Sequence, residues 1–76
     1  MQKSIHTARQ EQLRLLLKSA RKAAGLTQDQ LAVKIGAYKS FVSKYERGER
    51  QLDVIEFIDV CAALKLDAHD ILKRLA

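Results

Sequence analysis

The stretch Thr27-Gln-Asp-Gln-Leu-Ala-Val-Lys-Ile-Gly-Ala-Tyr-Lys-Ser-Phe-Val-Ser-Lys-Tyr-Glu-Arg-Gly48 decides how this chain folds. Its apolar spacing predicts two short helices, over residues 28–35 and 38–47, that meet at Gly36. Glycine adopts the left-handed conformation that ends a helix within one residue, so the chain can turn sharply there. Thr27 opens a capping box at the start of the first helix, and Gly48 is placed to end the second.

The second predicted helix has two different sides. At about 100° per residue, Phe41, Val42 and Tyr45 point together towards a core. The opposite arc, about 140° wide at the same rotation, holds the polar and basic residues Lys39, Ser40, Ser43, Lys44 and Arg47. Two short helices divided in this way have the form of a helix-turn-helix, which places its second helix in the major groove of DNA.

Basic residues are concentrated in the same half of the chain. The net charge of the 76 residues is +5, but residues 1–50 carry eleven Lys and Arg against four acids, and residues 51–76 carry three against five. A polyanion is the natural partner of such a charge distribution, because neutralising phosphates releases counterions. Double-stranded DNA is therefore the expected partner, and a merely solvated basic surface is the alternative.

Composition excludes several other classes of protein. The single Cys61 rules out an intrachain disulfide framework and fits a reducing, cytoplasmic location. No apolar run approaches the ~20 residues that span a bilayer, so no membrane association is expected. The sequence has no Gly-rich phosphate loop, metal-ligand cluster or nucleophile motif, and we expect neither an enzyme nor any metal or cofactor.

Helical periodicity continues through the rest of the chain, and the predicted fold class is a compact, all-α, five-helix domain. The first helix should run from Thr7 to Ala24, the fourth from a cap at Asp53 to about Lys65, and the fifth from a cap at Asp67 to the C-terminus. Residues 1–6 are expected to form a flexible N-terminal tail, and residues 7–76 a single domain.

The fourth predicted helix is apolar on almost every side, so it must be covered from more than one direction. A chain of this length covers only part of it, which favours a homodimer. The alternative is that these residues simply close a small core. The residues expected at the dimer interface are Ile55, Leu66, Ile71, Leu72 and Leu75.

The spaced residues Gly25-Leu-Thr-Gln-x-x-Leu-Ala-x-x-x-Gly36 and Ser40-x-Val-Ser43-x-x-Glu46-Arg-Gly48-x-Arg50 resemble the Cro/phage-repressor type of helix-turn-helix, the XRE family. The resemblance extends roughly over residues 13–72. It implies a five-helix DNA-binding domain of the kind that usually acts as a dimeric transcriptional regulator. Lys65 departs from the family pattern, which has glycine after the fourth helix, so the turn there is expected to differ.

The resemblance also implies roles for single residues. Positions that contact base edges or lie between them at the DNA surface are occupied here by Lys39, Ser40, Ser43 and Lys44. Positions that hold backbone phosphates are occupied by Gln28, Tyr38 and Arg50, and Arg47 is either a further phosphate contact or a solvated charge. Arg21 and Glu46 match an ion pair that ties the first helix to the end of the third. Lys39 replaces a frequent glutamine, and because lysine favours guanine, G·C pairs are expected in the bound sequence.

Two functions fit these observations. The first is a sequence-specific transcriptional regulator, a dimeric repressor that binds twofold-symmetric half-sites about 34 Å apart. The second is an antitoxin or a restriction–modification controller, which would regulate its own operon and could also bind a partner protein. A stable co-purifying partner would favour the antitoxin, and a clean homodimer the regulator or controller.

Overall fold

The computed structural model describes residues 7–76, and the predicted tail of residues 1–6 lies outside this part of the chain. The described residues form five α-helices and no strand, which confirms the all-α prediction. None of these helices is long and apolar enough to cross a membrane. The helices are α1 (Ala8–Ala23), α2 (Gln28–Lys34), α3 (Phe41–Glu46), α4 (Val54–Ala63) and α5 (Ala68–Leu75).

Side-chain caps begin four of these helices close to the predicted positions. The capping oxygens accept hydrogen bonds from backbone N–H groups of the first helical turn, which the helix itself leaves without partners. Complete capping boxes begin α2, through Gln30, and α4, through Glu56. The capping residues are Thr7, Thr27, Asp53 and Asp67.

α3 is shorter than its sequence predicts. The prediction began near residue 38, but the helix begins at Phe41, whose N–H donates to the Tyr38 carbonyl at 3.0 Å and closes a tight turn. Lys39 and Ser40 therefore precede the helix, and the helical wheel does not give their directions. α1 and α4 also end one or two residues earlier than predicted.

One core of buried side chains joins the five helices. α2 packs on α3 and α4, while α1 packs on α3 and α5. Three of the six residues of α3 are buried in this core, which fixes the orientation of α3 relative to α1 and α2. The buried apolar residues are Leu17, Leu31, Ala32, Phe41, Val42, Tyr45, Phe57, Val60, Cys61, Leu64 and Ile71.

One side of α4 remains uncovered in the single chain. Val54, Ile55 and Ile58 are exposed and lie on the side of the helix opposite the buried Phe57 and Val60. These three residues, spaced i, i+1 and i+4, form a continuous apolar stripe along the helix. We call them the α4 stripe.

Candidate nucleic-acid interface

Gly36 makes the sharp turn between α2 and α3. Its φ of 68° is in the left-handed region that glycine adopts without steric cost. The Gly36 N–H donates to the Val33 carbonyl at 3.1 Å, and the Ala37 N–H donates to the Ala32 carbonyl at 2.9 Å. These two bonds form a Schellman motif, which ends α2 and directs the chain towards α3.

Aromatic contacts fix the exposed beginning of α3. The Tyr38 ring, half exposed, meets the Phe41 ring edge-on at 5.7 Å between centroids, and Phe41 meets the buried Tyr45 in the same way at 5.6 Å. The Lys44 ammonium lies 5.8 Å from the centre of the Tyr38 ring, within reach of a cation–π contact. This row of rings leads from the core to the surface and holds Tyr38 and Lys44 side by side, with Lys39 in the adjoining turn.

The two predicted serine contacts are joined to each other through one carbonyl. The Ser40 carbonyl accepts hydrogen bonds from the Lys44 N–H at 3.0 Å and from the Ser43 hydroxyl at 3.1 Å. The Ser43 hydroxyl donates its one hydrogen to this carbonyl and keeps its lone pairs, so it can still accept a hydrogen bond from a base amino group. Ser40 is the N-cap residue but makes no capping bond with its side chain.

A buried ionic network ties α3 to α1 and α2. Arg21 donates to the two carboxylate oxygens of Glu46 at 2.7 and 3.1 Å and to the Leu26 carbonyl at 2.8 Å. Gln28 donates to the same carboxylate at 2.9 Å. The hydrogen bond that Arg21 donates to Glu46 raises the pKa of Arg21, against an opposing effect of burial. The Arg21–Glu46 pair that the resemblance implies is thus present, and Gln28 supports α3 through it.

Arg47 and Arg50, both predicted to hold phosphates, each meet a carboxylate of the chain. Arg47 donates to Glu49 at 2.5 Å between exposed side chains. Arg50 makes two bonds of 2.7 Å to Glu56, and its guanidinium lies 4.9 Å from the centre of the Phe41 ring. These hydrogen bonds raise the pKa of each arginine and lower the pKa of Glu49 and Glu56.

Sequence reasoning missed both of these carboxylates as neighbours of the interface. Glu56 is the N3 residue of the α4 capping box, and its contact with Arg50 crosses a turn where no fixed spacing rule applies. Glu49 was not assigned any role. A signal was present, since Glu49 lies between Arg47 and Arg50 in the sequence.

The predicted dimer residues differ in their exposure in the single chain. Ile55 and Leu72 are exposed, whereas Leu66 and Leu75 are partly buried against the core. Ile71 is only 6% exposed and belongs to the core of the single chain, so its assignment to the interface is corrected. Ile71 attaches α5 to the other helices of the same chain. Helical periodicity alone does not distinguish such a core contact from a contact between two chains.

Among residues 7–76, no three His, Cys, Asp or Glu side chains are grouped closely enough to hold a metal ion. Cys61 is buried, and burial raises the pKa of its thiol. Neither observation adds a second chemical site to the surface around α3.

Known proteins share this arrangement. The helix-turn-helix family HTH_3 matches residues 17–71, whereas no curated protein matches the chain. Similar solved structures include an XRE-family like protein from Pseudomonas syringae pv. tomato str. DC3000, which is 51% identical over 93% of this chain and 87% of its own, with a TM-score of 0.86. The restriction-modification controller protein C.AhdI from Aeromonas hydrophila is 29% identical over 78% of this chain and 89% of its own, with a TM-score of 0.72. The clp gene regulator ClgR from C. glutamicum is 27% identical over 92% of this chain and 91% of its own, with a TM-score of 0.78. The chain belongs to the XRE family of helix-turn-helix proteins.

Proposed function

We propose that this chain is a dimeric transcriptional regulator that binds a twofold-symmetric DNA sequence through α3 and the turn before it. The broader class, a DNA-binding transcriptional regulator with a helix-turn-helix, follows from the family to which the chain belongs. The proposal includes a cytoplasmic location and no catalytic activity.

The observation that carries the proposal is the exposed group around Tyr38. Lys39 lies in the turn, and Lys44 lies one helical turn further along, against the Tyr38 ring. The opposite side of α3 is fixed in the core by Val42 and Tyr45. A short helix held in the core on one side, with Lys44 in its last turn and Lys39 in the turn before it, is suited to the major groove, where lysine recognises guanine O6 and N7.

The remaining predicted contacts are assigned to the DNA backbone. Arg47 and Arg50 lie at and beyond the C-terminal end of α3, where a groove-inserted helix passes the phosphates. Gln28 is already bonded to Glu46, so a phosphate contact from it would use its second amide hydrogen. Ser40 and Ser43 complete the base-facing set, with Ser43 as a hydrogen-bond acceptor because its hydroxyl hydrogen is donated to the Ser40 carbonyl.

Selection of bound duplexes from a random DNA library tests this proposal. We expect enriched sequences that contain two related half-sites with G·C pairs. Lys39→Ala should remove the preference at one base pair of each half-site, while Lys73→Ala removes the same charge from α5 and should leave the selected sequence unchanged. Enrichment of no sequence by the wild-type protein would contradict the proposal.

For the dimer, we propose the α4 stripe together with Leu72 as the contact surface. These exposed apolar side chains gain most from being covered by a second copy, because apolar surface is stabilised by removal from water. Sedimentation of Ile55→Glu should show a monomer with an unchanged helical spectrum. Val33→Glu, at another exposed apolar position, should remain dimeric. A dimer in both variants would contradict this assignment.

A restriction–modification controller is the second candidate function. It is favoured by the similarity in sequence and structure to the controller protein C.AhdI. Both candidates bind DNA as regulators, and they differ in the gene that is regulated. Binding of the selected sequence upstream of adjacent endonuclease and methyltransferase genes would distinguish the controller from a regulator of other genes.

A further inference from the structure

The end of α3 fixes the position of Glu49. Gly48 has a φ of 77°, and its N–H donates to the Tyr45 carbonyl at 3.1 Å. The Glu49 N–H donates to the Lys44 carbonyl at 2.9 Å. These bonds form a Schellman motif, so the backbone of residue 49 is held against the last turn of α3.

The other three helix ends of this kind place an apolar residue at the equivalent position. The N–H groups of Leu26, Ala37 and Leu66 donate to carbonyls five residues earlier, and all three side chains pack against the core. Such an apolar contact commonly accompanies the Schellman motif. After α3 the position is taken by Glu49, whose side chain is 53% exposed. The fold therefore makes no packing use of this residue.

Helix stability does not account for Glu49 either. The C-terminal end of a helix carries partial negative charge, which disfavours an acidic side chain there. The ion pair with Arg47 is exposed on both sides, and pairs of this kind contribute little to folding. The hydrogen bond from Arg47, with a smaller effect of the Lys44 charge, lowers the pKa of Glu49 and keeps it ionised at neutral pH.

We propose that Glu49 competes with DNA phosphate for Arg47 and holds the DNA affinity of this protein below the value that its cations would otherwise give. This inference rests on the proposed function. A phosphate that approaches Arg47 either displaces the Glu49 carboxylate from Nε or binds at the terminal nitrogens beside this negative charge. In both cases part of the favourable phosphate contact is offset. Because phosphate contacts carry no sequence information, the competition weakens binding to all duplexes alike.

The pair of Arg50 with Glu56 is of a different kind. It has two hydrogen bonds instead of one, Glu56 also accepts the Asp53 N–H at 3.0 Å, and Arg50 lies over the Phe41 ring. Removing Glu56 would disturb the start of α4 as well as Arg50. Glu56 is therefore assigned to positioning Arg50, and the competition is assigned to Glu49 alone.

Binding measurements over a range of salt concentrations test the inference with the selected duplex and with a scrambled duplex. Glu49→Gln should bind both about three- to fivefold more tightly, the upper part of the range of about 1.4- to fivefold that corresponds to exposed charge pairs. The slope of log K against log salt should steepen by up to about 0.9, the value for one additional phosphate contact. A structural role of Glu49 would not change this slope. Thermal unfolding should be unchanged.

Two comparisons make the test specific. Glu11→Gln removes one negative charge, as Glu49→Gln does. Glu11 lies in the first turn of α1, next to Gln12, whose side chain donates to the Arg74 carbonyl of α5, so this variant should change DNA affinity less than twofold. In the Arg47→Ala background, Glu49→Gln should give no gain. An affinity of Glu49→Gln within twofold of wild type, an equal gain in Glu11→Gln or a gain without Arg47 would overturn the inference. Failure of the wild-type protein to bind any duplex would instead overturn the proposed function, and the inference with it.

Discussion

Glu46 and Arg47 are neighbours in sequence, yet they form ion pairs of opposite kinds. The Arg21–Glu46 pair has side chains 9% and 2% exposed and is shared with Gln28, whereas the side chains of Arg47 and Glu49 are 56% and 53% exposed. The first pair lies between helices and keeps α3 in place. The second pair lies on the outer side of α3, where a ligand can replace one partner. Adjacent charges are thus held in different settings, and we assign the inner one to structure and propose the outer one for binding.

Removal of Arg21 should have the largest effect on this molecule. Arg21→Ala leaves Glu46 buried without its cation, which we expect to lower the free energy of unfolding by about 3–5 kcal/mol. Urea denaturation measures the loss. Arg47→Ala removes an equal charge from the outer side and should leave the unfolding midpoint unchanged. Similar losses in the two variants would show that the inner and outer pairs do not differ in kind.

Replacement of Lys39 tests the outer side of α3. Lys39→Ala should weaken binding to the selected duplex by about 1–3 kcal/mol and relax the preference at one base pair. Arg50→Ala should instead weaken all duplexes and reduce the salt slope, since its contact is assigned to a phosphate. Fluorescence anisotropy with matched and single-mismatch duplexes separates these results. Equal losses on every duplex for Lys39→Ala would remove it from the base-contacting set.

Tyr45 and Tyr38 allow a buried and an exposed residue of this region to be compared in how the stability of the fold depends on pH. Burial raises the pKa of Tyr45 above its ordinary value of 10.0. The unfolded chain then loses the proton first as the pH rises, so Tyr45 stabilises the fold below pH ~10 and this contribution falls by about 1.4 kcal/mol per pH unit above it. Tyr45→Phe should flatten the alkaline loss of stability measured by urea denaturation. Tyr38→Phe, at the exposed end of the aromatic row, should retain it.

The smallest expected effect concerns the end of α4. Lys65 has a φ of 57° and occupies the left-handed position that Gly48 occupies after α3. A non-glycine residue there is strained by roughly 1 kcal/mol, so Lys65→Gly should raise the free energy of unfolding by about 0.5–1 kcal/mol. Gly48→Ala should lower it. A lower melting temperature for Lys65→Gly would show that the lysine side chain stabilises this turn.

The sequence predicted what depends on local spacing. The caps at Thr27 and Asp53, the turn at Gly36 and the apolar side of α3 all follow from periodicity and backbone chemistry. The turn after α4 was expected to differ because of Lys65, but it keeps the Schellman hydrogen bonds. Local rules predict only that a left-handed Lys65 is strained. They do not include the stabilisation from Leu66, which this turn allows to pack against the core.

Contacts between distant segments were beyond such rules. Residues 38–40 have helical spacing but form a turn, because α3 must reach the core at Phe41 from a fixed exit after α2. Ile71 and Leu72 are equally apolar, and only the packing of α5 on α1 and α4 buries the first and exposes the second. The Arg50–Glu56 contact likewise exists only once the loop between α3 and α4 is folded.

Amide chemical-shift mapping of the wild-type protein with its selected duplex tests the central claim most directly. We predict that the largest changes fall on residues 38–44, with smaller ones at Arg47 and Arg50, and that α5 changes little beyond any effect of the dimer. Changes concentrated on the α4 stripe and α5, with residues 38–44 unaffected, would contradict the assignment of α3 and its preceding turn to DNA.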